Sequence, residues 1–148
     1  MNKLDSDLLK LLIRDGRMSY ADMARQLDIS RAHARDRVQQ LVESGVVEQF
    51  TAVINPASLG KVISTFVDLK VAPYALERMA QELAACPEVI NLYIMSDLRS
   101  LHIHTLTDSQ EAFDGFARQY LLGREEIIAV NCTNLLSRVK HGEGGAKL

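Results

Sequence analysis

Long hydrophobic runs are missing from this 148-residue chain: nothing approaches the ~20 consecutive apolar residues that cross a bilayer, and residues 1–12 lack the uninterrupted apolar core of a signal peptide. A cytoplasmic protein with no membrane partner is expected. Cysteine is scarce, Cys86 and Cys132 being too few and too isolated for a disulfide framework or a zinc ribbon. Both are expected as buried thiols, with Cys132 in the core of the last strand. Charge of one sign is scarce too. The formal net charge of −2 excludes a generally basic protein that coats nucleic acid, so any contact with DNA must be focused. A glycine-rich phosphate loop, a nucleophile beside an orienting base and paired carboxylates at a working spacing are all absent, and Glu125 and Glu126 read as a solvated loop pair. No catalytic residue, cofactor or metal is therefore expected, and the chain is not read as an enzyme.

What is present is apolar material, 47% against 24% charged, enough for the core of one ordinary domain or two small ones. Residues 19–45 organise the first. Ser19 reads as the N-cap of a helix whose inward residues are Met23, Ala24 and Leu27. Asp28 and Ile29 form a turn. Ser30 caps the next helix, where Ala34, Val38 and Leu41 make an apolar stripe at i, i+4 and i+7. Arg31, His33, Arg35 and Gln39 fall largely off that stripe, and residues 31–37 hold three arginines against the single acid Asp36. A helix, a short turn and a second helix with a buried rear and a cationic front form a helix-turn-helix, whose second helix lies in the major groove of duplex DNA. One such ridge binds weakly, because affinity grows with each phosphate neutralised. Two copies in a symmetric homodimer solve that problem.

An earlier helix, capped by Asp5 or Ser6 and stopped at Gly16, carries Leu8, Leu9, Leu11 and Leu12 and braces the other two. Gly45 ends the third helix, and the β-branched stretch 46–54 (VVEQFTAVI) reads as a short strand or wing. Residues 1–54 are thus a winged helix-turn-helix domain. Residues 55–60, with Pro56 and Gly60, are the linker. Beyond them the order changes to strand (62–71), helix (74–86), strand (89–95), strand (101–107), helix (from Asp108 or Ser109, with Ala112, Phe113, Phe116, Ala117 and Tyr120 inward) and strand (127–136). This βαββαβ order is the ferredoxin-like split βαβ, with both helices on one face of an antiparallel sheet. The fold class is α+β. Residues 61–137 form the second domain, and its bare half-apolar sheet face is expected to be covered by a second copy. Residues 138–148 read as a loose tail.

Several motifs now stand in a specific order: Leu4, Asp5, Ser6 and Asp7; Asp15 to Ser19 (DGRMS); the Ser30 cap; Arg37 to Leu41 (RVQQL); Glu43 to Val47 (ESGVV); and Asn55 and Pro56 ahead of Leu59 and Gly60. Along nearly its whole length the chain resembles the Lrp/AsnC family, the leucine-responsive or feast/famine regulators. The resemblance implies a DNA-binding transcription regulator that pairs through its C-terminal sheet, assembles as a dimer or an octamer, and responds to an amino acid or similar small molecule. In the family the loop between the middle strands carries a glycine, with an acid three residues later, and helps to form the effector site. Aligned without gaps, this chain has Asp97 and Ser100 there. Glycine lets a ligand approach the backbone, whereas Asp97 adds bulk and charge.

The residues that follow from these readings are few. Arg31 and Arg35, one turn apart, are placed to reach guanine O6 and N7. His33 and Gln39 are further base or phosphate contacts, and Ser19 and Tyr20 begin a helix whose exposed amides suit a phosphate. Ser30 belongs to the same DNA-facing turn, while Arg37 is divided between a phosphate and a structural role. The effector loop is Ser96, Asp97, Leu98, Arg99 and Ser100, with Arg99 able to hold a ligand carboxylate. His102 and His104 alternate with apolar residues and share one sheet face, where two histidines at i and i+2 can chelate a metal or face a tetrapyrrole. A haem-pathway (siroheme-type) decarboxylase of the same architecture is the alternative they raise. Residues 91–103 lack that branch's histidine- and aromatic-rich run.

Overall fold

Asn2 starts the first helix, α1 (Lys3–Arg14), in the computed structural model, which describes residues 2–60 and 63–139. Asp5 and Ser6 were the expected caps. Instead the Asn2 side chain accepts from the Asp5 amide at 2.8 Å and the Asp5 carboxylate accepts from the Asn2 amide at 3.1 Å, a reciprocal capping box. Helices α2 (Tyr20–Leu27) and α3 (Arg31–Glu43) are capped by Ser19 and Ser30. The turn between them works because Asp28 takes the left-handed conformation, φ 53°, which Asp tolerates better than most residues. Leu8, Leu9, Met23, Ala24, Ala34, Val38 and Leu41 form the buried core of this unit, with Leu11, Leu12 and Leu27 packed partly buried against it.

The stretch 46–54 is not a strand. Its β-branched composition has no neighbour to bond with, since no strand exists among the described residues of this unit, and an unpaired strand has no ladder to hold it. Val47 instead donates its amide to the Leu41 carbonyl at 2.9 Å and packs on the helical core. Phe50, Val53 and Ile54 are exposed.

The second unit, Ile54–Arg138, holds β1 (Ile63–Val71), α4 (Leu76–Ala84), β2 (Val89–Ile94), β3 (Ser100–Thr107), α5 (Gln110–Tyr120) and β4 (Ile127–Asn134). The strands run antiparallel in the order β2-β3-β1-β4. Pro73 opens a 3-10 turn, so α4 begins two residues later than the apolar spacing suggested. Ser109, rather than Asp108, caps α5 by accepting from the Ala112 amide at 3.2 Å. Ala112 itself is exposed, while Phe113 and Phe116 are buried.

Alternation assigns the two faces. Thr65, Val67, Leu69 and Val71 of β1 and Leu101, Ile103, Thr105 and Thr107 of β3 are buried, and the apolar ones among them pack with Leu76, Met79 and Leu83 of α4 and Phe113 and Phe116 of α5. The other face presents Ser64, Phe66, Asp68 and Lys70 from β1 and His102, His104 and Leu106 from β3. Cys132 was expected in the core and is exposed. Its partner across the ladder, Val67, is fully buried, but β4 is the edge strand and no described residue of it beyond Ile127 joins the core. The described chain ends at residue 139, so the expected tail lies almost wholly outside it. No described helix is long and apolar enough to cross a membrane.

Candidate nucleic-acid interface and ligand groove

Helix α3 divides cleanly into two sides. Ala34, Val38 and Leu41 are buried, and Arg31, His33, Arg35 and Gln39 are exposed on the remaining surface. Ser30 spends its hydroxyl on the His33 amide, at 3.1 Å, and so fixes where the helix starts. No described residue pairs with the Arg31 or His33 side chain. Arg35 is held beside its neighbour: Nε and Nη2 both donate to Asp36 Oδ1, at 2.9 and 2.7 Å. Gln39 donates to Glu43 at 2.9 Å. Both contacts are exposed and lie along the helix, so either side chain can exchange them for a DNA acceptor at small cost.

Arg37 is a different case. Its Nε donates to Asp5 Oδ1 at 2.5 Å and its Nη2 to Asp5 Oδ2 at 2.8 Å, while Nη1 donates to Gln40 at 2.7 Å. The guanidinium ties α3 to α1 through both Asp5 oxygens, the contact a structural role requires. The start of α2 is also occupied. Ser19 accepts from the Asp22 amide at 3.1 Å and donates to the Asp22 carboxylate at 2.5 Å, and Arg25 donates to that carboxylate as well. The Ser19 hydroxyl, with Arg25 beside it, holds Asp22 below the usual carboxylate range. A phosphate beside exposed Tyr20 would meet that negative charge at the amides proposed for it.

In the sheet unit the β2–β3 loop borders an open groove of about 410 Å³. Asp97 and Ser100 line it, together with Met95, Asp68, Lys70 and Asn131. The expected loop residues Ser96, Leu98 and Arg99 do not. Leu98 is exposed with φ 53°, and Arg99 contributes its backbone: its carbonyl accepts from the Val71 amide at 2.8 Å. Asp68, Lys70 and Asn131 could not be found by reading the loop, because β1 and β4 reach it only through strand pairing, with Asp68 opposite both His102 and Asn131.

His102 and His104 do share a face, as the alternation predicts, but each is already engaged. His102 Nδ1 lies 2.7 Å from Asp68 Oδ1, and His104 Nε2 lies 2.6 Å from Ser64 Oγ. The Phe66 ring stacks on both, with centroids 5.6 Å from His102 and 4.4 Å from His104. Burial, then the positive charge of Arg138 and His102, pushes the His104 pKa down. Among the described residues no group of three histidine, cysteine or acidic side chains is arranged to hold a metal.

The model of a winged helix-turn-helix DNA-binding domain matches residues 1–48, and that of the Lrp/AsnC ligand binding domain matches residues 64–144. The chain belongs to the Lrp/AsnC family. An uncharacterized HTH-type transcriptional regulator of Pyrococcus horikoshii is 35% identical over 140 residues, which is 95% of this chain and 88% of that one. The regulator LrpA of the same organism is 32% identical over 96 residues, 65% of this chain and 68% of its own. Among solved structures, AsnC of E. coli superimposes with a TM-score of 0.84 at 20% identity, covering 95% of each chain. A Neisseria meningitidis regulator in complex with L-Met gives 0.85 at 22%, covering 96% of this chain and 94% of that one. At those identities the two structures show the shared fold. The family consists of transcription regulators, and nothing in these relatives supports the haem-pathway alternative.

Proposed function

We propose that this Lrp/AsnC regulator reads duplex DNA with α3, acting in the cytoplasm as a homodimer or larger homo-oligomer whose DNA affinity is modulated by a small molecule in the groove beside the β2–β3 loop. The exposure of Arg31, His33, Arg35 and Gln39 on the part of α3 left free by its buried stripe carries the DNA reading. Arg31 and Arg35 are the base-reading residues, donating to guanine; His33 and Gln39 contact bases or phosphates. Ser30 sets the start of the helix and Arg37 its attachment to α1. Ser19 and Tyr20 take a secondary place, because the Ser19 hydroxyl is spent on the Asp22 amide and carboxylate, and that carboxylate puts a negative charge beside the start of α2. The domain limits are residues 1–54 and 61–137, joined by 55–60.

A pair of such helices is needed because one contains too few cations to hold duplex DNA at physiological salt. A ligand that binds one arrangement of the paired subunits better than another shifts their spacing, and with it the affinity for two half-sites. The Neisseria regulator was solved with L-Met. An amino acid or a relative of one is therefore the class of effector carried over to the groove lined by Asp97 and Ser100.

The test is a fluorescence titration of fragments from the protein's own gene neighbourhood, containing one or two half-sites, at low and physiological salt. Tighter, salt-sensitive binding to the paired site is expected. Equal binding to single and paired sites would remove the oligomeric mechanism, and binding unchanged in the doubly substituted Arg31→Ala, Arg35→Ala protein would remove α3 as the reading element.

A further inference from the structure

The groove beside the β2–β3 loop already contains a carboxylate, and it belongs to the protein. Asp97 Oδ1 accepts from the amides of Arg99 and Ser100, at 3.1 and 2.9 Å, and Oδ2 accepts from the Ser100 hydroxyl at 2.6 Å. Two amides on one oxygen and a hydroxyl on the other are a sufficient set of donors for a small carboxylate. Lys70 adds the only cation among the groove's lining residues. The Ser100 hydroxyl, the Arg99 and Ser100 amides and, last, the attraction of Lys70 lower the Asp97 pKa from its ordinary value.

An incoming carboxylate therefore meets a loop whose Arg99 and Ser100 amides and Ser100 hydroxyl are spent, and a negative charge where it would sit. It meets a second acid as well, because Asp68 lines the groove, its carboxylate held against His102 at 2.7 Å. A tethered group two and three residues away from the amides it binds outcompetes a free one, since no translational freedom is lost when it docks. A ligand that ends in an amide or an amine avoids all three penalties.

We propose that Asp97 is the specificity determinant of this groove: its side chain stands where a ligand carboxylate would, so the groove accepts small molecules bearing an amide or amine and rejects those bearing a free carboxylate. The inference rests on the groove being the effector site. It makes a regulator of this kind insensitive to free amino acids while leaving it open to their uncharged-terminus derivatives. Asp97→Gly removes the internal carboxylate and frees the Arg99 and Ser100 amides beside Lys70.

The experiment compares acid and amide pairs on the full-length protein by thermal shift and calorimetry, using L-leucine with L-leucinamide and L-methionine with L-methioninamide. Wild type is expected to bind an amide roughly tenfold or more tightly than its matched acid, as like-charge opposition in a site demands. Asp97→Gly is expected to reverse that order, and Lys70→Ala added to it to remove the acid binding gained. Asp97→Asn, which keeps an oxygen for the two amides but no charge, is expected to remain closed to acids. Acids binding wild type as tightly as amides would overturn the inference and leave the groove as an effector site, as would an unchanged ratio in a folded Asp97→Gly protein. If no probe shifts either protein, the groove is not the effector site and the inference falls with it. Should Asp97→Gly fail to fold, the wild-type ratio decides alone.

Discussion

Arg37 and Asp5, 32 positions apart in the chain, form a two-pronged ion pair with N···O distances of 2.5 and 2.8 Å. Asp5 is 3% exposed, so its carboxylate has given up most of its water, and the guanidinium fork together with the Asn2 amide replaces it. One acid thereby closes the capping box of α1 and anchors the helix proposed to read DNA.

That pair sets the acid stability of the helical unit. The Arg37 hydrogen bonds lower the Asp5 pKa from 3.8 to about 2. A depressed folded-state value means that the stabilisation is fully present above pH 3.8 and is lost as pH falls towards about 2. Asp5→Asn is expected to be less stable at neutral pH and to show a flatter loss of thermal midpoint across that window. Arg37→Lys is expected to restore little, because an ammonium cannot reproduce the fork.

Arg35→Ala is expected to weaken binding to the specific site by ~1–3 kcal/mol with the oligomer mass unchanged, checked by anisotropy titration beside light scattering. Asp36→Ala makes the opposite prediction. Removing the acid that holds Arg35 at 2.7 Å frees a cation, so affinity for unrelated duplex should rise and its salt slope steepen.

Loss of the Ser30 hydroxyl leaves the His33 amide without its cap. Ser30→Ala is expected to cost the helical unit about 1 kcal/mol in urea unfolding, and Ser30→Asp to recover most of it.

His104 makes the sheet unit sensitive to mild acid. Its folded-state pKa is pushed below the ordinary 6.5 by burial and by Arg138 and His102, so below that pH the unfolded chain takes up a proton that the folded chain resists. Stability should hold above pH 6.5 and decline as pH falls beneath it. The Phe66 ring and the Ser64 hydroxyl pack on the same imidazole, and Asp68 sits on His102 beside it. His104→Gln is expected to flatten the decline in a series of thermal melts from neutral to mildly acidic pH.

The caps Ser19 and Ser30, the choice of Asp108 or Ser109 for α5, the buried stripe of α3 and the βαββαβ succession were all legible in the residues themselves. Each is settled within about one helical turn or by simple alternation: a hydroxyl three residues before an open amide, an apolar side chain every third or fourth position, a period of two. The stretch 46–54 shows the limit of that logic. Its composition suits a strand, yet a strand is made by its neighbour, and no residue within the stretch can say whether a neighbour exists.

The amino-acid order alone therefore determined the two-part architecture, the buried and exposed sides of α3 and the family motifs, because local hydrogen bonds and periodic burial depend on near neighbours. Tertiary structure decided what Arg37 and the Asp97 loop meet. Arg37 meets Asp5 only after α1 and α3 pack. The Asp97 loop becomes one wall of a groove only after β1 and β4 bring Asp68, Lys70 and Asn131 beside it. Partners so distant in sequence come together through the burial of a common core, and no local pattern records which of them will be adjacent.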